Sequence, residues 1–428
     1  MRQLRASDFP EEAVRARART GASAVFPAAA EYGHSVLGAR TVSVGGTDDL
    51  FDQLRLVPPV FMPLRLEKLI ETACEPTYRD VTLRTTIGGF VSSLPVFLSA
   101  LGSTQVASTD LSLAAGRQAG QLGIPMVIGE NVVPMNGYGA AATQAQSMLQ
   151  RITSYSDAMT GDQGGVVVQQ STEDADAEVW NHIYSDTAIQ PLLMAGRLAF
   201  ELKVGQGAKP GLGGMTMIDA ATASRVADRY RIDDSVQGPA GQTLRCSSPG
   251  TVTAEILRQQ IRLIRNNFAR VKVWVKLPPG RDIAAAVRVA WAAGADAVTV
   301  DGAEGGSGWA PTAFLDHVGL PLGECLRRIG RPAGGLLVCG RMWEGSRAVK
   351  SLALGAHAVG LGRAALLAVD EDPEQGLVRL VECLALELRM LISALGKYAC
   401  ADLNHEDIHP WPVTSAIGHD GQMVTASP

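Results

Sequence analysis

The chain has 428 residues, a formal net charge of −5 and 46% hydrophobic residues, which is ordinary globular composition. Acidic and basic residues are mixed along it, so composition argues against nucleic-acid binding. No apolar stretch reaches the ~18 residues that a membrane span needs, and charged residues follow Met1 where a secretion signal would be apolar. These features predict a cytoplasmic protein that is neither membrane-bound nor associated with nucleic acid.

The cysteines and histidines show no metal-binding pattern. The closest pair of the six cysteines is Cys325 and Cys339, too far apart for a zinc or iron–sulfur motif. In a large chain without a secretion signal, reduced and buried thiols are expected. The seven histidines form no Ser-His-Asp set and no metal-ligand spacing. The sequence therefore predicts no bound metal.

Residues 1–60 are mixed in character and are predicted to form an N-terminal arm with a polar helix at residues 10–20. From about residue 94, short apolar runs alternate with Ala-rich helical stretches, which is typical of a parallel sheet covered by helices. The predicted strands are Val96–Ala100, Met126–Gly129, Val166–Gln170, Ala199–Val204, Val271–Leu277, Ala297–Val300, Gly335–Cys339 and Ala358–Leu361. The predicted helices are Asp110–Leu122, Ala188–Ala195, Thr253–Asn266, Ile283–Ala293, Trp343–Leu354 and Glu374–Ala394.

Eight strands with intervening helices fit an α/β fold, a (β/α)8 TIM barrel, predicted over residues 61–400 and followed by a C-terminal tail at residues 401–428. An open doubly wound sheet is the alternative. The connection between the fourth and fifth strands, residues 205–270, is too long for a simple βα link. We interpret it as a long inserted loop that serves as a lid or substrate loop, with a surface excursion as the alternative.

A glycine-rich loop, Asp301-Gly302-Ala303-Glu304-Gly305-Gly306-Ser307-Gly308, follows the sixth predicted strand. Main-chain N–H groups of such a loop can bind phosphate, although many such loops are simple turns. Gly340-Arg341 and Gly362-Arg363 follow the seventh and eighth strands, where barrels hold phosphate groups. Their arginines can donate paired hydrogen bonds to phosphate or form surface ion pairs. Taken together, these segments predict a phosphate site.

Charged residues end or interrupt three predicted strands. Lys276 ends the fifth strand on the catalytic face, where a lysine can stabilise the negative charge of a reduced flavin; a lysine reaching to solvent is the alternative. Glu130 follows the second strand and Lys203 lies within the fourth. Ionisable groups are costly there unless they are paired or functional. A buried structural pair is the alternative for Lys203.

These motifs resemble the synthase domain of glutamate synthase and its stand-alone subfamily, over about residues 48–396. The segments that carry the resemblance are residues 205–214 (Gly-Gln-Gly-Ala-Lys-Pro-Gly-Leu-Gly-Gly), 301–311, 316–321 (Asp-His-Val-Gly-Leu-Pro) and 99–103. The resemblance implies FMN at the mouth of the barrel. The cofactor-binding residues it implies are Ser99, Ala100, Leu101, Gly102, Gln170, Lys203, Lys276, Asp301, Gly302, Gly305, Gly306, Gly340, Arg341, Gly362 and Arg363.

The resemblance also implies transfer of a hydride from reduced FMN to the imine of a keto acid, with Glu130, Lys209 and Lys276 as catalytic residues. Four features depart from the family. The chain has no cysteine-led glutaminase segment, no iron–sulfur cysteines follow the last strand, and Ser247-Ser248-Pro249-Gly250 stands in place of the family's Ser-Pro-Pro-His-His-like segment. Met215 stands where the family has glutamine, and only spacing relates Arg229 to the family's carboxylate-binding arginine. We therefore expect a substrate other than plain 2-oxoglutarate.

The sequence thus predicts an FMN-dependent, glutamate-synthase-like oxidoreductase that acts on a small imine, carbonyl or amino-acid-like substrate. A partner protein would supply ammonia or electrons, and the enzyme is expected to be a homo-oligomer. Two alternatives stay open. One is an oxidase or dehydrogenase of an unusual amino or hydroxy acid, against which the lack of a family-type active-site histidine counts. The other is a non-catalytic flavin-binding subunit of a partner.

Overall fold

The computed structural model describes residues 4–6, 8–25, 50–101, 109–129, 148–171, 179–205, 215–227, 231–238, 241–246, 250–306 and 311–409. Short helices and strands precede the main domain. They are α1 (Glu11–Thr20), a 3-10 helix (Gly21–Val25), α2 (Leu50–Gln53), β1 (Arg55–Leu56), α3 (Pro63–Thr72), a 3-10 helix (Tyr78–Asp80), β2 (Thr85–Ile87) and β3 (Phe90–Ser92).

Eight parallel strands close into a barrel. They are β4 (Val96–Leu101), β5 (Met126–Ile128), β6 (Val166–Ser171), β7 (Leu198–Lys203), β11 (Lys272–Leu277), β12 (Ala297–Asp301), β13 (Leu336–Cys339) and β14 (Ala358–Leu361). Neighbours in the chain are neighbours in the ring, and β14 pairs with β4 to close it. The closed ring confirms the predicted (β/α)8 barrel and excludes the open doubly wound sheet.

Helices surround the ring. They are α4 (Thr109–Leu122), α5 (Met148–Ser156), α6 (Val179–Ser185), α7 (Gln190–Met194), α9 (Ala254–Asn267), α10 (Ile283–Ala292), α11 (Thr312–His317), α12 (Leu322–Ile329), α13 (Gly345–Ala353), α14 (Arg363–Glu371) and α15 (Gly376–Ala394). The six predicted helices all correspond to helices in this set. The sequence analysis did not predict α5, α6, α11, α12 or α14.

The connection between β7 and β11 is a folded insertion. It contains β8 (Thr216–Ile218), α8 (Ala220–Val226), β9 (Ile232–Gly238) and β10 (Gln242–Arg245), and it leads into α9. The three strands form an antiparallel sheet in the order β8-β10-β9. The long insertion between the fourth and fifth barrel strands is therefore where the sequence predicted it, and its described residues carry their own sheet.

The lower half of the barrel interior is apolar. Side chains alternate along each strand between the interior and the helix-facing side. The interior set is Phe97, Val127, Val167, Ala199, Trp274, Ala297, Leu337 and Ala358. The β2–β3 hairpin closes this end, because Ile87 and Phe90 pack into the same cluster. The Trp274 indole also donates a 2.9 Å hydrogen bond to the carbonyl of Gly88 in the hairpin turn.

The N-terminal arm is fastened to the last helices of the barrel. Arg15 forms ion pairs with Asp370 (2.9 Å) and Glu371 (3.0 Å) at the end of α14. Arg17 pairs with Glu387 of α15 at 2.5 Å. Two further 3-10 helices, Cys400–Asp402 and His405–Asp407, lead to β15 (Ile408–His409), which pairs antiparallel with β1. The arm and the beginning of the tail therefore meet beside the barrel.

Candidate active site at the carboxyl end of the barrel

The upper half of the barrel interior is polar, on the same strand faces that are apolar below. The buried inward-facing residues there are Ser99, Gln169, Ser171, Glu201, Lys203, Lys276, Thr299, Asp301 and Cys339. Because all eight strands are parallel, these groups gather at the carboxyl ends of the strands. In (β/α)8 barrels this end carries the chemistry, whereas the other end serves stability.

An ion pair lies at the top of this interior, where Lys276 Nζ is 2.9 Å from Asp301 Oδ2. Burial alone would lower the pKa of the Lys276 ammonium, but the charges of Asp301 and other acidic groups nearby raise it above its usual value. Lys276 therefore stays protonated at neutral pH. Its register partner on β7 is Lys203, which is also buried. The mouth of the barrel thus contains a buried ammonium that is paired with a carboxylate.

A second buried carboxyl group, that of Glu201, lies beside this pair. Gln169 Nε2 donates to one carboxyl oxygen at 2.5 Å, and Thr299 Oγ1 donates to the other at 3.0 Å. Burial raises the pKa of Glu201, against the opposing effects of the Lys276 charge and these two hydrogen bonds. The sequence analysis missed Glu201, Gln169 and Thr299. Their signal was present as polar residues at every second position of otherwise apolar strands.

Ser99 of β4 reaches the same interior, where its Oγ lies 3.2 Å from Cys339 Sγ. Burial raises the pKa of the Cys339 thiol, and the nearby Asp301 charge adds to the effect, so the thiol is neutral. The β4–β5 register is irregular between Leu98 and Leu101. Ala100 packs against the inner cluster, whereas Leu101 belongs to the cluster between the barrel and its helices.

The glycine-rich loop after β12 folds back on the barrel rim. The Gly302 N–H donates to the Cys339 carbonyl at 2.8 Å, and the Gly305 N–H donates to the Gly302 carbonyl at 2.9 Å. A Cβ on Gly302 would lie 2.6 Å from Leu322 Cβ and 2.8 Å from Leu322 N, so only glycine fits there. The Leu322 N–H in turn donates to both carboxylate oxygens of Glu304, at 3.1 and 3.0 Å.

Glu304 links this loop to the two that follow. Its carbonyl accepts a 2.5 Å hydrogen bond from Arg363, and its carboxylate forms a 2.8 Å ion pair with Arg347. Arg347 also donates to the Gly340 carbonyl at 3.0 Å. One acidic residue therefore joins the loops after β12, β13 and β14. The sequence analysis listed Glu304 within the loop without a role and missed Arg347 altogether.

The rim carries three arginines: Arg341 and Arg347 are buried, and Arg363 is half-buried. Burial lowers the pKa of the Arg363 guanidinium, and the charge of Arg341 lowers it further. Arg341 also has the left-handed φ of 52°, which costs a non-glycine residue about 1–2 kcal/mol. Helix α14 begins at Arg363, and its first-turn N–H groups add partial positive charge. This arrangement suits an anion.

Several predicted site residues gather in this region. Lys203, Lys276, Asp301 and Ser99 share the polar interior, and the rim carries Gly302, Gly305, Gly306, Gly340, Arg341, Gly362 and Arg363. Gln170 is buried, but strand alternation places it on the opposite face from Gln169 and Ser171. Gly102, Glu130, Lys209 and Arg229 lie outside the described residues, as do residues 206–214, 247–249 and 307–310.

Within the described part of the chain, no three His, Cys, Asp or Glu side chains are grouped as a metal site would require. The six cysteines are free thiols. Nor is any described helix both long enough and apolar enough to cross a membrane.

The closed barrel defines the fold class, because it is similar to the barrel of solved mandelate oxidases, one of which holds an FMN adduct. An oxidised (S)-mandelate dehydrogenase variant is 18% identical, with 94% of this chain and 99% of that one covered and a TM-score of 0.53. A flavocytochrome b2 double mutant with pyruvate bound is 16% identical, with 88% and 84% covered and a TM-score of 0.53. These likenesses establish the fold.

The chain belongs to the glutamate synthase family. The family model described as the conserved region in glutamate synthase matches residues 130–372, more than half of the chain. A glutamate synthase large subunit-like protein of Rhizobium meliloti is 30% identical over 277 residues, which are 62% of this chain and 60% of that protein. An archaeal glutamate synthase (NADPH) of Methanocaldococcus jannaschii is 35% identical over 189 residues, 41% of this chain and 35% of that one. The chain thus spans only part of the length of these relatives.

Proposed function

We propose that this chain is a glutamate-synthase-like oxidoreductase that transfers a hydride between FMN and a small imine, carbonyl or amino-acid-like substrate. The observation that carries the proposal is the convergence of Arg341, Arg363 and the start of α14 at the rim of a polar barrel. Membership of the glutamate synthase family and the fold shared with FMN-dependent enzymes support the same reading.

The rim residues fit the phosphate of FMN. Burial and the Arg341 charge both disfavour the charged form of Arg363, so an anion bound at this guanidinium would favour that form. Arginines can donate paired hydrogen bonds to its oxygens, and the first-turn N–H groups of α14 add further donors. The close approach at Gly302 keeps the loop flat against the rim. We therefore assign the phosphate to the loop Gly302–Gly306, to Gly340 with Arg341, and to Gly362 with Arg363.

The polar interior fits the ring end of the cofactor. Bound FMN supplies the hydride-transfer chemistry. We assign Ser99, Ala100, Lys203 and Lys276 to the ring, with Lys276 held protonated by Asp301 so that it stabilises negative charge at the pyrimidine edge. Glu130 and Lys209 are the proposed substrate contacts. Because Met215 lacks an amide donor, we infer a substrate other than plain 2-oxoglutarate.

The cofactor assignment is tested by Arg363→Met, which removes one rim cation. We expect purified wild-type protein to be yellow and to release FMN on denaturation. We expect the variant to bind FMN about 10–100-fold more weakly, since a hydrogen bond to a charged group contributes about 1.5–3 kcal/mol. Arg84→Met is the control, because Arg84 is an exposed residue paired with Asp162. Equal FMN affinity in both variants would remove Arg363 from the site.

The reaction is tested by anaerobic reduction of the flavin with NADPH, NADH and a panel of amino acids, followed by reoxidation with keto acids and ammonia. Reoxidation by an imine-forming mixture supports the proposed reaction, and we expect Lys209→Met to abolish it while FMN stays bound. Reduction by an amino or hydroxy acid, with reoxidation by oxygen, would favour the oxidase or dehydrogenase alternative. A flavin that no donor reduces would favour a non-catalytic subunit. A requirement for a second protein would identify the proposed source of ammonia or electrons.

A further inference from the structure

The N-terminal arm contacts every one of the three rim arginines, through residues that come from two separate parts of the arm. The pairs are Phe9 with Arg363, Phe51 with Arg347, and Asp52 with Arg341. The sequence analysis predicted the arm and its polar helix but gave no arm residue a role in the site. The contacts point to a more specific role.

Phe9 lies under Arg363. The guanidinium carbon of Arg363 is 4.6 Å from the centroid of the Phe9 ring, while its terminal nitrogen donates to the Glu304 carbonyl at 2.5 Å. The face of an aromatic ring attracts a cation without accepting one of its N–H groups. Phe9 can therefore fix the guanidinium without competing with an anion for its hydrogen bonds.

Phe51 holds Arg347 in the same manner. The guanidinium carbon is 4.4 Å from the ring centroid, and the Phe51 side chain is buried. The Phe51 carbonyl accepts a 2.7 Å hydrogen bond from Lys350 of α13, which ties α2 to the helix that carries Arg347. Arg347 itself joins Gly340 to Glu304. Phe51 thus supports the residue that links the loops after β12 and β13.

Asp52 completes the set. Its carboxylate is 3.5 Å from a terminal nitrogen of Arg341, the arginine with the left-handed φ. A strained residue persists only where its surroundings hold it in place. Described residues of the arm therefore contact all three rim arginines.

We propose that the N-terminal arm is a built part of the cofactor phosphate site, in which Phe9 and Phe51 are positioning residues for Arg363 and Arg347. This inference rests on the proposed FMN site. If docking of the arm strengthens FMN binding, then FMN binding strengthens docking of the arm by the same factor, because coupling between two binding equilibria is reciprocal. The arm and the cofactor thus stabilise each other across the rim.

The experiment compares two variants. One is a double variant that combines Phe9→Leu and Phe51→Leu, and the other is the single variant Phe61→Leu. Leucine keeps most of the apolar volume and loses the ring face, and Phe61 is a control because it is 85% exposed. We expect the double variant to bind FMN about tenfold more weakly, a change of about 1.4 kcal/mol, because both guanidiniums lose the ring face that positions them. Phe61→Leu should stay within about twofold of wild type, a change of under 0.5 kcal/mol. The FMN dissociation constant is measured by quenching of flavin fluorescence.

Hydrogen exchange of residues 11–20 with and without FMN gives a second readout that needs no variant. The inference expects FMN to slow exchange in this helix of the wild-type protein, and to slow it less in the double variant. If FMN leaves exchange there unchanged, or the folded double variant binds FMN as wild type does, the inference is wrong and the proposed function stands. If the wild-type protein takes up no FMN, both fail together.

Discussion

Two buried carboxyl groups in the barrel interior have different electrostatic environments. Asp301 contacts the Lys276 ammonium directly, whereas Glu201 accepts hydrogen bonds from the neutral groups of Gln169 and Thr299. In many active sites, differences in environment of this kind decide which carboxyl group is ionised and which keeps its proton. This difference leads to one prediction about stability and one about the cofactor.

The first residue-level prediction concerns Glu201→Gln. Because the pKa of Glu201 is raised, the folded protein keeps its proton at pH values where the unfolded chain, near pKa 4.5, has lost it. The stability that the protonated Glu201 carboxyl contributes to the wild-type protein is fully present below about pH 4.5, the pKa in the unfolded chain. It is lost as the pH rises towards the higher pKa of the folded protein. Glutamine does not titrate and keeps one donor and one acceptor.

We therefore expect the free energy of unfolding of Glu201→Gln, relative to wild type, to increase from pH 4 to pH 7. The increase is up to about 1.4 kcal/mol for each pH unit in the window between the two pKa values. Urea unfolding at four pH values measures this increase, and the same substitution at an exposed position, Glu67→Gln, is the control. Parallel curves for Glu201→Gln and wild type would contradict the protonated state of Glu201.

The second residue-level prediction concerns Lys276→Met with FMN bound. Loss of the ammonium removes positive charge from beside the proposed ring site, so the flavin should become harder to reduce. We expect its two-electron midpoint potential to fall by on the order of 30–60 mV, since about 30 mV corresponds to a factor of ten in the equilibrium constant. Lys272→Met is the matched control, because Lys272 lies at the opposite end of the same strand. An equal potential in the two variants would place Lys276 away from the flavin.

At the scale of elements, the β2–β3 hairpin seals the barrel opposite the proposed active site. Its turn residue Gly88 has φ of 53°, and an added Cβ would lie 2.3 Å from Trp274 Cε2. The Trp274 ring also packs against Phe90 at 5.7 Å and edge-on against Phe97 at 6.2 Å. Position 88 therefore requires a residue that adopts a left-handed backbone conformation and has no side chain. The second requirement comes from Trp274, which is far away in the sequence.

Comparing Gly88→Ala with Gly161→Ala separates these two demands. Gly161 has φ of 68° with open space around it, so alanine there costs only the backbone term of about 1–2 kcal/mol. Gly88→Ala adds overpacking of Trp274, for a total of roughly 3 kcal/mol or more. Chemical denaturation of both variants measures the difference. Equal losses would show that the hairpin moves away from Trp274 without cost.

At the scale of the whole molecule, the proposed phosphate site lies on a barrel whose last helices contact the N-terminal arm. The arm packs on α14 and α15 through Arg15 and Arg17, and β1 pairs with β15. A cofactor that binds only the folded chain must stabilise this whole assembly through linkage. The size of that stabilisation tests how the cofactor is anchored.

We expect FMN at 100 times its dissociation constant to raise the free energy of unfolding by about 2.7 kcal/mol. Riboflavin at the same concentration lacks the phosphate and should give a much smaller increase in the melting temperature. Differential scanning calorimetry of the apoprotein with each ligand measures both. Equal shifts for riboflavin and FMN would mean that the rim arginines do not anchor the cofactor through its phosphate.

Local patterns in the sequence determined the strands, the family and most of the rim. Apolar runs mark the barrel strands because both faces of a parallel sheet are buried, and Gly302 and Gly340 mark loops where a backbone must approach closely. Helices α11, α12 and α14 escaped prediction because they are short and follow the loops directly. Their periodicity is too brief to separate from that of a loop.

Tertiary structure alone decided which partners the ionisable side chains contact. Glu201 accepts a hydrogen bond from Thr299, 98 residues away, and Arg363 lies over Phe9 of the arm. Periodicity assigns a residue to a face, and glycine content reports a local steric demand. Neither pattern reports the closure of the barrel or the contacts of the arm with it. These long-range arrangements set the partners and the burial of each ionisable side chain, and hence its pKa.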